Sequence, residues 1–239
     1  MSMFAQPGAY DQTATMFSPD GRLYQVEYAM EVVNRGATVL GIKCSEGVVL
    51  GSEENDEPLE KMDNSWKIYK VDEHIGVAIV GLSSDARVLI ENARTEAQSN
   101  RLTFGEPIDV EVVTRHSCDL QQVYTQHGGG RPFGTALIFG GVDVSGPHVI
   151  DTHPSGTYRR FKATAIGAGR ETALSVLKEE YREDLTLEQS VRLAVKCLMK
   201  ALEARQLPPR IKIAVIPTTT KKMEMLPDQT VEGYIKETS

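Results

Sequence analysis

The sequence predicts an α+β domain built as a four-layer αββα sandwich, two stacked antiparallel sheets with helices on both outer faces. Three observations predict it. Short β-type runs come in pairs separated by turn residues, which makes hairpins and therefore antiparallel sheets. Helical runs also come in pairs, so each pair can cover one sheet. No shift in composition breaks the 239 residues, and residues 1–239 read as one domain.

Taken in order, residues 1–19 are loop-like, punctuated by Pro7, Gly8 and Pro19. A leading helix is expected over 20–35, with Asp20 as its N-cap and Leu23, Val26, Met30 and Val33 at helical spacing before Gly36. Its apolar stripe is narrow, so it has to dock on something else. Residues 36–239 then form the sandwich. Runs at 37–42 and 48–52 make a first hairpin, and runs at 66–71 and 75–80 make a second around Asp72 and Glu73. A helix over 83–100, capped by Ser83 or Ser84, carries the small-residue stripe Ala86, Leu89, Ala93 and Ala97. Its partner runs over 109–126 and ends at Gly128-Gly129-Gly130. Strands follow at 134–140, 148–151 and 157–165, then a helix over 170–181. Thr186 and Gln189 form a capping box for a helix with Leu187, Val191, Ala194, Val195, Leu198 and Leu202 on one face, closed by Pro208-Pro209. A last core strand at 210–216 and a short helix at 227–237 complete the chain.

Composition narrows the function. A formal net charge of −7 argues against nucleic acid as the main partner, and no apolar run is long enough to span a bilayer. The first residues lack the basic and apolar regions of a signal peptide. The three cysteines are far apart with no CxxC, so neither a disulfide framework nor a zinc site is expected, and a reducing cytoplasm fits. The five histidines form no HExxH pair, and Gly128–Gly130 lacks the Lys-Ser/Thr of a phosphate loop. No cofactor and no metal are expected.

One block is highly specific. Tyr10-Asp11 followed by Phe17-Ser-Pro-Asp-Gly-Arg-Leu-Tyr-Gln-Val-Glu-Tyr-Ala29 resembles the N-terminal signature of proteasome α subunits. The runs at 81–87, 124–134, 154–157 and 162–167 resemble the family's later blocks in the same order. The compact length is similar to the archaeal type. The resemblance implies the N-terminal-nucleophile hydrolase fold and a non-catalytic subunit of the 20S core. Such a subunit joins other α subunits in a seven-membered ring, stacks on β subunits, docks a regulatory AAA+ ATPase ring through its C-termini and admits unfolded proteins.

In the catalytic β subunits the nucleophile is an N-terminal threonine whose α-amine acts as base. Here Ala37 holds that place, and Thr38 lies one residue later, on the other face of the strand. Glu53 and Lys67 match the acid and lysine of that site. The rival reading is an active hydrolase released by cleavage before Thr38, which intact mass would reveal. The resemblance further assigns Tyr10, Asp11, Pro19 and Tyr28 to a cluster that holds residues 1–19 as an open gate. The alternative for Tyr28 is packing of the first helix. Gln12 replaces the family's usual arginine. Gly36, Lys67 and Leu82 match the pocket that receives ATPase C-termini, with Lys67 pairing the terminal carboxylate; a solvated strand-end lysine is the alternative. Gly128, Gly129 and Gly130 match the turn at the fixed pore constriction, with His127 either a pH-sensitive collar or an ordinary turn residue. The acidic stretch from Glu53 to Glu60, where family members often carry basic residues, reads as a solvated loop, as a charge that weakens docking of acidic activators, or as the mark of a divergent paralogue.

Overall fold

The computed structural model describes residues 10, 13–54, 65–127, 130–208 and 210–238. The elements are α1 (Tyr24–Arg35), β1 (Val39–Cys44), β2 (Gly47–Glu53), β3 (Ile68–Asp72), β4 (Ile75–Gly81), α2 (Ser83–Phe104), α3 (Val110–Gln126), β5 (Thr135–Asp143), β6 (Gly146–Thr152), β7 (Tyr158–Phe161), β8 (Ala163–Ile166), α4 (Arg170–Glu180), α5 (Leu187–Ala204), β9 (Ile211–Pro217), β10 (Glu224–Met225) and α6 (Asp228–Thr238).

Alternation along the strands builds the four layers. Two five-stranded antiparallel sheets have the orders β10-β9-β2-β1-β8 and β3-β4-β5-β6-β7. In β2, Val49 joins the core under α4 and α5, while Val48 and Leu50 point between the sheets. In β5, Leu137 and Phe139 pack under α2 and α3, while Ala136 and Ile138 face the other sheet. Gly41 in β1 lets the sheets approach, since a Cβ there would lie 2.8 Å from Ile138 and 2.9 Å from Val149. The α2 stripe of Ala86, Leu89, Ala93 and Ala97 is buried, so that helix lies close on its sheet.

Four sequence expectations are corrected. The run at 157–165 is not one strand. It breaks at Lys162 into β7 and β8, which belong to different sheets, so the chain crosses the sandwich there. The leading helix begins at Tyr24 rather than residue 20, and Asp20 does not cap it. Residues 18–22 form a tight turn instead: Gly21 N donates to Ser18 O at 2.9 Å, Arg22 N donates to Ser18 Oγ at 3.0 Å, and Gly21 takes φ +75°. Pro19 and Asp20 occupy the central turn positions that favour them. Neither Ser83 nor Ser84 is the α2 N-cap. Leu82 holds that place without a side-chain bond, and α2 continues to Phe104, where left-handed Gly105 ends it. Finally, α5 stops at Ala204, before the prolines, with Gln206 at φ +56°.

The α3 helix is capped from a distance. Asp109 makes no capping bond; Asp143, at the end of β5, accepts the Val110 amide at 3.1 Å. Burial acts to raise the Asp143 pKa, but bonds from the Ser145 hydroxyl, the Ser145 amide and the Val110 amide outweigh it and hold the carboxyl below its usual range. Asp143→Ala is therefore expected to cost about 1–2 kcal/mol at neutral pH, read from denaturant midpoints. A carboxylate whose folded pKa is depressed contributes stability that is present above its unfolded pKa. That contribution is lost as pH falls through the folded value. The gap between wild type and variant should shrink below about pH 4; a gap that widens there would refute the cap.

Candidate functional site

The start of β1 carries the first matched group. Thr38 is fully buried and shares the face of Leu40, towards the α4–α5 layer. Its hydroxyl accepts the Gly169 amide at 2.8 Å, and its own amide donates to Glu53 Oε2 at 2.8 Å. Arg205, just past α5, binds the other Glu53 oxygen. The Thr38 nitrogen is thus a peptide donor held on a carboxylate, with no lone pair to act as a base, and the preceding Ala37 offers only a methyl. Lys67 makes no hydrogen bond or ion pair with Thr38 or Glu53 among the described residues. Arg205 escapes a sequence reading, because it reaches Glu53 from the far end of another helix.

Gly36, Lys67 and Leu82 each adjoin the C-terminal half of β4, at Val80–Gly81, at Ile79 and directly after Gly81. A Cβ on Gly36 would lie 2.6 Å from Val80 Cγ2 and 3.0 Å from the Gly81 nitrogen, so α1 ends directly against that strand. Lys67 enters β3 opposite it, its carbonyl accepting the Ile79 amide at 2.8 Å. Leu82 follows Gly81, donates its amide to Gly134 O at 2.9 Å and leaves its side chain 40% exposed. Lys67 is half-buried. Burial pushes its pKa below the ordinary lysine range, and the negative charge of Glu54 offsets part of that.

The acidic stretch is not uniformly solvated. Glu53 and Glu54 are 2% and 6% exposed and fully engaged, while residues 55–60 lie outside the described residues. Their burial was hidden by the composition, which ranks both with the loop that follows.

Of the third group, Tyr10 is half-buried, Pro19 is exposed at the 18–22 turn, and Tyr28 is 48% exposed on α1 with its ring centroid 6.4 Å from that of Tyr24. Asp11, Gln12, Gly128 and Gly129 lie outside the described residues. Gly130 is exposed. His127 Nδ1 lies 3.0 Å from the Val123 carbonyl and closes α3. The arm after Gly130 is anchored by a contact that sequence reasoning missed: Asp85 accepts both Arg131 terminal nitrogens, at 2.6 and 2.9 Å, and the Gly134 amide at 2.8 Å. Tyr124 and Phe133 meet edge-to-face at 4.8 Å beside it. Among the described residues, no group of three or more His, Cys, Asp or Glu is placed to hold a metal ion, and no helix is long and apolar enough to cross a membrane.

A family model described as "Proteasome subunit" matches residues 33–216. The chain belongs to the proteasome subunit family. A second model, for the N-terminal signature of A-type proteasome subunits, matches residues 10–31 and places the chain among the α-type subunits. The chain is 54% identical to the proteasome alpha subunit of Methanopyrus kandleri over 90% of its own length and 88% of that protein's. It is 48% identical to that of Methanothermobacter thermautotrophicus over 97% and 94%, and 46% identical to that of Thermococcus sibiricus over 98% and 90%. The two-sheet sandwich is the proteasome-family fold, and α-type subunits assemble with other proteasome subunits in a machine for protein degradation.

Proposed function

We propose that this chain is a structural and gating subunit of a cytoplasmic threonine-type endopeptidase, and cuts nothing itself. Seven α-type subunits form an outer ring stacked on β subunits, and the β subunits carry the catalysis. Unfolded proteins enter through a pore narrowed by the Gly128–Gly130 turn. Tyr10, Asp11, Pro19 and Tyr28 hold residues 1–19 aside when the gate is open. The Gly36–Lys67–Leu82 pocket receives the C-termini of an AAA+ ATPase ring, a compact ammonium being suited to capture a terminal carboxylate.

The observation that carries the non-catalytic reading is the state of the strand start. Ala37 has no hydroxyl, and Thr38 is buried with its nitrogen committed as an amide donor to Glu53. Nucleophilic catalysis needs an exposed hydroxyl beside a base, and neither is available there. The test combines two measurements on the chain co-expressed with a β-type partner. Negative-stain microscopy is expected to show stacked seven-membered rings. A threonine-directed covalent inhibitor is expected to label the β chain alone. Labelling of Thr38, or an intact mass lacking residues 1–37, would overturn the proposal.

A further inference from the structure

Lys67 has a resident anion beside it. Glu54 is 6% exposed, and its Oε1 accepts the hydroxyls of Ser52, at 2.9 Å, and of Ser65. Its Oε2 accepts the Trp66 amide at 3.3 Å. The same Ser65 hydroxyl accepts the amides of Lys67 at 3.1 Å and Ile68 at 2.9 Å. Glu54 is therefore tied into the segment that carries Lys67 and cannot swing out to solvent. Among the described residues, neither Glu54 nor Lys67 has an ion-pair partner within 4.0 Å. A fixed charge in a poorly solvated place acts further than a surface charge, and salt screens it less.

We propose that Glu54 is a specificity-determining residue of the docking site: its carboxylate, held beside Lys67, opposes an incoming terminal carboxylate and leaves apolar contact at the exposed Leu82 to carry more of the recognition. The inference rests on the reading of Lys67 as the docking lysine. An approaching tail gains the attraction of Lys67 and meets the repulsion of a charge that no rotamer change removes. The balance for a carboxylate is then small, whereas the balance for an apolar side chain on Leu82 is untouched.

The experiment uses full α–β particles and two labelled octapeptides of alanine and leucine ending in leucine, one with a terminal carboxylate and one with a terminal amide. Fluorescence anisotropy gives the affinity ratio of acid to amide. Glu54→Gln keeps the shape and most hydrogen bonds while removing the charge. It is expected to raise the ratio about tenfold, the order for removing one like charge near a partly buried ion pair. Glu54→Met, which removes charge and hydrogen bonds together, should move the ratio the same way. Lys67→Met should erase the preference. A general loosening of the pocket would weaken both peptides and leave the ratio alone. An unchanged ratio in both Glu54 variants, with the preference erased by Lys67→Met, would sink the role of Glu54 and leave the docking reading standing. A ratio insensitive to Lys67→Met would instead sink the docking reading.

Discussion

Lys67→Ala is expected to abolish ATPase-stimulated protein degradation by α–β particles. The lysine is half-buried and its charge is partly desolvated, so an arriving carboxylate meets an ammonium that water competes for weakly. A charge-assisted hydrogen bond of that kind is worth ~1.5–3 kcal/mol. In the proposed ring the contact would repeat at every pocket, so its loss would multiply through the avidity of a multivalent partner. Truncation to alanine also leaves the Glu54 carboxylate as the charge the tail encounters, which turns a weak attraction into repulsion. Lys67→Arg should recover only part of the stimulation, because a planar fork does not occupy the place of a point charge. Hydrolysis of short peptides by the unstimulated particle reports on the β active sites and is expected to hold. The checking measurement is degradation of casein with and without the ATPase, in particles of matched β content. Stimulation at the wild-type level would show that Lys67 is not the docking residue.

What the sequence made legible follows the range of the interactions concerned. Local signals carried through. The Thr186–Gln189 capping box forms, with Gln189 N donating to Thr186 Oγ1 at 3.2 Å and Thr186 N donating to Gln189 Oε1 at 2.9 Å. The hydrophobic period of α5 and the small-residue stripe of α2 are buried as their spacing predicted. Misreadings came where a distant residue or a neighbouring turn took over a local role. Asp20 looks like a cap but is used by the 18–22 turn, whereas the residue that caps α3 is Asp143, on another element. The strand at 157–165 has continuous β character, and only the sheet partners on either side of Lys162 divide it. The same holds for the candidate sites. Gly36, Lys67 and Leu82 are far apart in sequence, and nothing in their spacing predicts that each adjoins β4; their grouping came from the resemblance alone. Arg205 at Glu53 and Arg131 at Asp85 are pairings across the fold, with no periodic signal to betray them.

The gate should respond to truncation in a different way from the docking pocket. The segment 1–11 has one charged side chain, Asp11, and apolar ones at Met1, Met3, Phe4, Ala5, Ala9 and Tyr10, with Pro7 and Gly8 between them. Eleven residues are too few to build a core of their own, so the proposed gate depends on what the rest of the subunit offers them. Pro19 stands exposed on a turn that its neighbours hold rigid, since Ser18 before it bonds Gly21 and Arg22 after it. Tyr28 stands half-exposed one turn into α1, whose other face is anchored by Val26, Ala29 and Val33. A rigid turn and a helix fixed from behind are suitable posts for the proposed gate, and the chemistry it calls for is a phenol donor, which Tyr28 has, and a carboxylate acceptor, which Asp11 has. Removing residues 2–12 is therefore expected to speed entry of unfolded casein into unstimulated particles about tenfold, which corresponds to a barrier of only about 1.4 kcal/mol at the entrance. Tyr28→Ala should do the reverse of opening: rings assemble, the tails remain, and the ATPase fails to hold them aside, so stimulated degradation falls while unstimulated entry stays low. The two variants thus separate a barrier from the device that moves it. Equal casein rates for wild type and truncation, with matched β content, would show that residues 2–12 form no barrier. Full stimulation of Tyr28→Ala would assign Tyr28 to packing of α1 instead.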